Sequence, residues 1–137
     1  MDAKLELLSR VPLFSGLDKS SLAHVGRLAD EIDLPAGKEL LHEGELPYEF
    51  FLIVTGEVRI DREGHQLTVL GPGDFLGEIA LVDGGRRTAS ATTQTPVRLL
   101  VLGSREFHSL LAEYPDIRAA VLNELAARVR RLEPSAD

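Results

Sequence analysis

Residues 75–90 combine glycines, two acidic residues and two arginines at close spacing, which are residue types that can hold a phosphate ester. Gly77 allows the backbone to approach a ligand closely. A one-turn helix beginning just after it would direct the free N–H groups of Ile79 and Ala80 outward, and such a helix end binds anions. Arg87, near the far end, supplies a planar guanidinium suited to two oxygens of one phosphate. This stretch, called the 75–90 segment below, is therefore predicted to bind a phosphate group.

The acidic residue Glu78 indicates a ligand that carries more than a phosphate. Its negative charge would repel a nearby anion unless the carboxylate served another part of the same ligand. Carboxylates accept hydrogen bonds from hydroxyl groups, so a ribose hydroxyl is the expected target. Phosphate donors beside one carboxylate therefore suggest a nucleotide with a free 2′-hydroxyl, and a 3′,5′-cyclic nucleotide matches that description.

The elements that must position these residues are mostly short strands. Between Ile32 and Leu102, β-prone runs alternate with turns marked by glycine or proline. Most of these runs are not separated by a helical segment long enough for a parallel crossover, which predicts a largely antiparallel, jelly-roll-like barrel. The predicted strands cover residues 32–34, 39–42, 50–55, 57–61, 66–70, 90–92 and 97–102.

Helices are predicted on both sides of the strands. Asp18 is a good N-cap for a helix over residues 19–30. After the strands, Ser104 is expected to cap one helix and Pro115 to begin another. The fold class is therefore α+β: an antiparallel β jelly-roll barrel flanked by one N-terminal helix and two C-terminal helices.

The length and composition indicate one domain. The chain has 137 residues, of which 44% are hydrophobic and 27% charged, as in an ordinary globular domain. We expect a single domain over residues 1–137, with an N-terminal helical segment (1–30), a β-roll that contains the 75–90 segment (31–103), and the two C-terminal helices (104–132).

The composition also argues against several classes of function. The chain has no cysteine, which removes disulfides, thiolate metal sites and cysteine nucleophiles. A net charge of −7 disfavours direct binding to nucleic acid. No run approaches the roughly 20 apolar residues of a membrane span, and the chain does not start with a signal peptide. We therefore expect a cytoplasmic protein.

Catalysis is not expected either. The four histidines, His24, His42, His65 and His108, do not show the spacing of a metal site. Neither a Gly-x-Ser-x-Gly motif nor a Gly-x-x-x-x-Gly-Lys phosphate loop occurs. The sequence thus predicts a protein that is not an enzyme and holds neither a metal nor a cofactor.

The 75–90 segment resembles the phosphate-binding cassette of the cyclic nucleotide-binding domain family, found in catabolite activator protein, cyclic nucleotide-dependent kinases and gated channels. That pattern is Phe, any residue, Gly-Glu, an aliphatic residue, Ala and Leu, then a variable stretch before Arg, a small residue and Ala. The residues that match are Phe75, Gly77, Glu78, Ile79, Ala80, Leu81, Arg87, Thr88 and Ala89. Further similar motifs are Pro35-Ala36-Gly37, Val54-Thr55-Gly56-Glu57-Val58, Gly71-Pro72-Gly73-Asp74 and Tyr114-Pro115-Asp116.

The resemblance implies a role for each matching residue at the ribose and the phosphate. Glu78 and the backbone of Gly77 would bind the ribose 2′-hydroxyl, and Arg87 would bind the cyclic phosphate. The remaining phosphate contacts would come from backbone N–H groups and one hydroxyl, provided by Ile79, Ala80, Thr88 and Ala89.

The resemblance also implies where the base would lie. Leu67 and Val69, on the strand before the 75–90 segment, would line the base pocket, and Arg131 or Leu132 on the last helix would cover the base. The hydroxyl of Thr88 resembles that of members able to bond the guanine amino group, yet cAMP-preferring members also carry serine or threonine there. The ligand is therefore cAMP or cGMP, and we favour cAMP.

The function implied is a cyclic nucleotide sensor or regulatory domain, in which binding moves the C-terminal helices. Its partner would be a protein effector or an effector domain outside this sequence, and the last helix permits a homodimer. The alternative is a ligand-free structural or protein-interaction domain with a degenerate 75–90 segment. A sensor of another small anion is a third possibility.

Overall fold

The computed structural model describes residues 3–46, 48–77, 87 and 89–132, and these residues form four α-helices and eight strands. The helices are α1 (Ala3–Ser9), α2 (Lys19–Leu28), α3 (Ser104–Glu113) and α4 (Pro115–Leu132), and a short 3-10 helix spans Pro12–Phe14. The strands are β1 (Asp30–Leu34), β2 (Glu39–Leu41), β3 (Glu49–Thr55), β4 (Val58–Arg62), β5 (His65–Leu70), β6 (Phe75–Leu76), β7 (Ser90–Thr93) and β8 (Val97–Gly103).

The strands form two antiparallel sheets, as the alternating runs and tight turns predict. The first sheet has the order β1-β8-β3-β6 and the second the order β2-β7-β4-β5. Every described pair is antiparallel. The predicted jelly-roll fold is confirmed, and its two sheets stay open at their edges as a sandwich rather than closing into one barrel.

The first sheet is buried on both faces, so the molecule has three layers. In β3, Phe50 and Leu52 belong to a core cluster shared with the helices, whereas Phe51 and Ile53 belong to a second cluster between the sheets. Strand β8 divides its side chains between the same two clusters. Because side chains alternate along a strand, a continuous apolar run such as that in β3 indicates burial on both sides.

Helix α2 begins where the sequence predicts. The carboxylate of Asp18 accepts a hydrogen bond from the Ser21 N–H at 2.8 Å, and this backbone bond is the main reason that the pKa of Asp18 lies below its ordinary value. Helix α2 ends at Leu28 and strand β1 begins at Asp30, so the predicted helix over residues 19–30 is slightly too long.

Helix α3 begins differently from the prediction. Its N-cap is Gly103, without a side-chain cap, and Ser104 is the first helical residue. The Ser104 N–H donates to the carbonyl of Tyr48 at 2.8 Å, so the first turn is joined to the residue before β3. The prediction of Ser104 as the cap is wrong by one residue, since the helix already includes Ser104.

The structure contains two short elements that the sequence did not predict. Helix α1 precedes the single N-terminal helix that was expected, and Leu8 on it is fully buried in the helical core cluster. Strand β6 has two residues and pairs with β3 through Phe75 and Leu76. This pairing brings the start of the 75–90 segment directly onto the central strand.

Candidate functional site

The site is built around Arg87, whose residue surface is only 7% exposed. Its Nη1 donates to the carbonyl oxygen of Gly77 at 2.7 Å, and its Nη2 donates to the carbonyl oxygen of Glu49 at 2.6 Å. These short bonds fix the plane of the guanidinium between the end of β6 and the start of β3. The two carbonyl oxygens therefore hold the arginine side chain in one orientation.

The backbone of Arg87 is held as well. The Gly44 N–H donates to the carbonyl oxygen of Arg87 at 2.9 Å, and the Arg87 N–H donates to the carbonyl oxygen of Glu45 at 2.8 Å. The turn that follows β2 is therefore bonded to both the N–H and the carbonyl group of Arg87. Other segments of the chain thus position both the backbone and the guanidinium of this residue.

Gly77 has a structural role that differs from the one the sequence indicated. Its φ is +93°, and an added Cβ would lie 2.9 Å from Nη1 of Arg87 and 2.9 Å from the carbonyl oxygen of Glu49. The guanidinium belongs to a side chain, whereas the carbonyl oxygen of Glu49 belongs to the backbone and cannot move aside easily. Glycine is thus needed here to accommodate the arginine, in addition to any close approach by a ligand.

The two residues predicted to line a base pocket lie on β5, an edge strand. Leu67 is 42% exposed and falls at a register shift in the β4–β5 pair, while Val69 is half-buried opposite Arg59. Because side chains alternate, Val69 lies on the opposite face from Leu70, which packs against the cluster between the sheets. Contact of Leu67 and Val69 with a base stays a prediction.

Several predicted site residues lie outside the described part of the chain. These are Glu78, Ile79, Ala80 and Thr88. Ala89 is described, half-buried, immediately before β7. Arg131 and Leu132 fall within the bounds of α4, but their side chains lie outside what the structure describes. Of the predicted residues, the structure thus brings Gly77 and Arg87 into contact.

Sequence reasoning missed three residues that position Arg87, namely Gly44, Glu45 and Glu49. All three act through backbone atoms, and the side chains of Glu45 and Glu49 are exposed. A backbone contact places no requirement on side-chain type, so the residue pattern carries little trace of it. The one signal available was the Glu43-Gly44 turn, where φ of Gly44 is +89°.

The described residues also bear on metal binding and on membrane insertion. Among these residues, no group of three or more histidine, aspartate or glutamate side chains is placed to hold a metal ion. In the same part of the chain, no helix is both long and apolar enough to span a membrane.

The described residues thus form a sandwich of two antiparallel sheets, in which the buried Arg87 is bonded to the end of β6 and the start of β3. The family model described as "Cyclic nucleotide-binding domain" matches residues 31–114, which include all eight strands except the first residue of β1. The chain therefore belongs to the cyclic nucleotide-binding domain family, as its motifs predicted.

Similar proteins include a CRP-like cAMP-activated global transcriptional regulator of Mycobacterium tuberculosis, 36% identical over 92% of this chain. A cyclic nucleotide-gated potassium channel of Rhizobium etli is 34% identical over 85% of this chain. The chain spans 58% of the length of the regulator and 32% of that of the channel. Among solved structures, the catabolite activator protein of Thermus thermophilus superposes with a TM-score of 0.80 at 30% identity, covering 92% of this chain and 62% of that one.

Proposed function

We propose that this chain is a cyclic nucleotide sensor that binds cAMP in preference to cGMP through the 75–90 segment. The observation that carries the proposal is the buried guanidinium of Arg87, fixed by the carbonyl oxygens of Gly77 and Glu49 within the region that matches the family. Carbonyl oxygens fix the plane of a guanidinium, and a guanidinium held in a desolvated site attracts a phosphate strongly.

Under this proposal the ligand contacts are those that the motifs implied. Arg87 binds the cyclic phosphate, and Glu78 with the Gly77 backbone binds the ribose 2′-hydroxyl. Leu67 and Val69 contact the base, and Arg131 or Leu132 covers it. Further phosphate contacts come from Ile79, Ala80, Thr88 and Ala89.

The relatives support the ligand class and the regulatory role. The Mycobacterium tuberculosis relative is described as cAMP-activated, and the Rhizobium etli channel as cyclic nucleotide-gated. Both are longer than the matched region, so we propose that this chain is one regulatory, non-catalytic domain that acts on a protein effector or on an effector domain outside this sequence. Its cytoplasmic location, and the absence of direct contact with nucleic acid, stay predictions.

The decisive experiment is calorimetric titration of the protein, freed of any co-purified nucleotide, with cAMP and then cGMP. Arg87→Ala removes the phosphate partner and should weaken binding by about 2–5 kcal/mol. The control is Arg62→Ala, which removes the same charge from an exposed position at the end of β4 and should leave the affinity almost unchanged. If the unmodified chain binds neither nucleotide at about 1 mM, the sensor function is wrong and the interaction-domain alternative replaces it.

We also propose that binding moves α3 and α4. Three aromatic rings connect the start of the 75–90 segment with α3: the Phe75 ring lies 5.5 Å from that of Phe50, which stacks on Phe107 at 4.5 Å. On α4, Ile117 and Val121 are buried in the same core cluster. A shift of the segment when it closes on a ligand would therefore change the packing of α3, and α4 would follow.

This coupling is measurable because the chain has no cysteine of its own. Spin labels at Lys38→Cys and Asn123→Cys, both exposed positions, report the distance between the β-roll and α4. We expect cAMP to change that distance, and Phe107→Leu to abolish the change while calorimetry still detects binding. Phe51→Leu is the matched control, since Phe51 faces the other core cluster. Equal distances with and without saturating cAMP would contradict the coupling.

The last helix is also the proposed site of a homodimer. Leu122 on α4 is 45% exposed, so it places an apolar side chain on the surface of that helix. Sedimentation of the protein with and without Leu122→Glu tests this, because a charge at an apolar interface should shift a dimer toward the monomer.

A further inference from the structure

The turn formed by Glu43, Gly44 and Glu45, called the 43–45 turn below, is bonded to the end of the 75–90 segment at three points. The Glu43 N–H donates to Oγ of Ser90 at 3.0 Å. Gly44 and Glu45 exchange backbone hydrogen bonds with Arg87 at 2.9 and 2.8 Å. The turn is therefore hydrogen-bonded both to Arg87 and to Ser90, the first residue of β7.

The same turn also contacts the β4–β5 hairpin. Oε1 of Glu43 accepts a hydrogen bond from the Glu63 N–H at 3.1 Å. Glu63 lies at the tip of the hairpin, with a φ of +52° that is uncommon for a residue other than glycine. The carboxylate thus holds a turn of unfavourable backbone conformation, two residues before β5 begins at His65.

Glu43 is therefore the residue at which two parts of the site meet. Its backbone N–H is bonded to the 75–90 segment, and its half-buried side chain is bonded to the hairpin that carries Leu67 and Val69. Under the proposed function, the first part would hold the phosphate group of the ligand and the second its base. Glu43 therefore connects the two parts of the proposed site.

We propose that Glu43 is a positioning residue for cyclic nucleotide binding, which acts through the hairpin tip and through Arg87 without touching the ligand. The inference takes the identity of the ligand from the proposed function, whereas the contacts that position Arg87 lie within the protein and do not depend on that function. Loss of the Glu43 carboxylate frees the hairpin tip and loosens the 43–45 turn, and the backbone hydrogen bonds of Arg87 then open more often.

The charge of Glu43 acts in the opposite direction to its hydrogen bond. A carboxylate near an anion site lowers affinity for the anion, so removal of the charge alone should strengthen binding slightly. Glu43→Gln removes the charge and keeps an acceptor oxygen, whereas Glu43→Ala removes both. Glu45→Ala removes the same charge from the same turn and keeps the carbonyl that bonds Arg87. These three variants separate the effect of the hydrogen bond from that of the charge.

The first test is amide hydrogen exchange of the ligand-free protein, read at Gly44 and Arg87. Glu43→Ala should speed exchange at both amides by about fivefold or more, as expected for the loss of one hydrogen bond. Glu43→Gln and Glu45→Ala should exchange like the unmodified chain. Ser90→Ala, which removes the other partner of Glu43, should also speed exchange and provides a second variant if Glu43→Ala does not fold. Unchanged exchange in Glu43→Ala, or an equal rise in Glu45→Ala, overturns the inference.

The second test is titration of the same variants with cAMP. Glu43→Ala should bind about five- to tenfold more weakly than Glu45→Ala, and Glu43→Gln should match Glu45→Ala. If the unmodified chain binds cAMP and the two alanine variants bind equally well, the inference is overturned while the sensor function stands. If the unmodified chain binds no cyclic nucleotide, the sensor function fails and the exchange measurement still decides whether Glu43 positions Arg87.

Discussion

Two arginines of this protein are held in contrasting ways. Arg98, on β8, has a side chain that is 43% exposed, and its Nε lies 2.9 Å from a carboxylate oxygen of Asp33 and 3.5 Å from one of Glu31. Arg87 is buried, and its two guanidinium nitrogens donate to the carbonyl oxygens of Gly77 and Glu49. One arginine is oriented by neighbouring acids at the surface and the other by backbone in the interior.

The difference concerns the groups that orient each guanidinium. A carboxylate that binds an arginine also neutralises it, and at an exposed position the pair adds little to stability. A carbonyl oxygen orients a guanidinium through its dipole alone. Under the proposed function, the buried guanidinium of Arg87 is oriented in this way to bind the cyclic phosphate, whereas the exposed guanidinium of Arg98 serves a surface ion pair.

The largest expected effect is on the affinity for cAMP, and it is tested by replacing each of the two arginines with lysine. An ammonium group cannot donate to two carbonyl oxygens and a phosphate in the geometry of a planar guanidinium. Arg87→Lys should therefore weaken cAMP binding by about 1.5–3 kcal/mol, or roughly 10- to 150-fold. Arg98→Lys should change the affinity less than about twofold. Calorimetric titration measures both, and equal losses in the two variants would show that the orientation of Arg87 does not matter.

A smaller effect is expected on the stability of the ligand-free protein. Gly77→Ala places a Cβ 2.9 Å from Nη1 of Arg87, whereas Gly37→Ala, at a similar φ of +86°, meets nothing within 4 Å. Gly37→Ala should cost about 1–2 kcal/mol, from the backbone conformation alone. Gly77→Ala should cost at least about 1 kcal/mol more, because the guanidinium must move. Urea unfolding compares them, and equal costs would mean that the glycine does not make room for the arginine.

The smallest effect concerns pH and the surface pair. Hydrogen bonding from Arg98, followed by its Coulomb attraction, holds the pKa of Asp33 below its ordinary value. A carboxyl whose pKa is lower in the folded state adds stability above its ordinary pKa of about 3.9, and this stability is lost as the pH falls through the folded value.

Thermal unfolding of the protein and of Asp33→Asn should therefore show a small difference near neutral pH that disappears once the pH falls below the lowered pKa of Asp33. A difference that is unchanged at low pH would show that Asp33 contributes through packing instead of through its charge. Added salt should reduce the same difference, since exposed pairs are screened.

The sequence predicted most of the fold because the signals for it are local. Alternating apolar residues and glycine turns located seven of the eight described strands, and the carboxylate of Asp18 located the start of α2. Strand β6 was missed because two residues cannot show a period, and its pairing with β3 is a contact between distant parts of the chain. Ser104 was misread as the cap because a serine occurs both at the cap and in the first turn, and the residue type alone does not distinguish these positions.

The site was predictable to the extent that side-chain chemistry defines it. Arg87 and Gly77 were identified from their types and spacing, and the structure places them in contact. The contributions of Gly44, Glu45 and Glu49 could not be inferred, since a backbone carbonyl or N–H is present at almost any residue. The contact of Glu43 could not be inferred either, because its carboxylate accepts a hydrogen bond from the Glu63 N–H, which lies nearby only in the folded hairpin.

Because β3 is buried on both faces, truncation of the chain after the strands would expose apolar surface. A fragment that ends at Gly103 would lack α3 and α4, and water would reach the face of the first sheet formed by Phe50, Leu52, Leu100 and Leu102. A large exposed apolar face of this kind promotes aggregation. We therefore expect the helices and the sheets to unfold together. A shortened version that is meant to stay in solution should keep the chain at least through Val121, the last residue of the helical core cluster among the side chains that the structure describes.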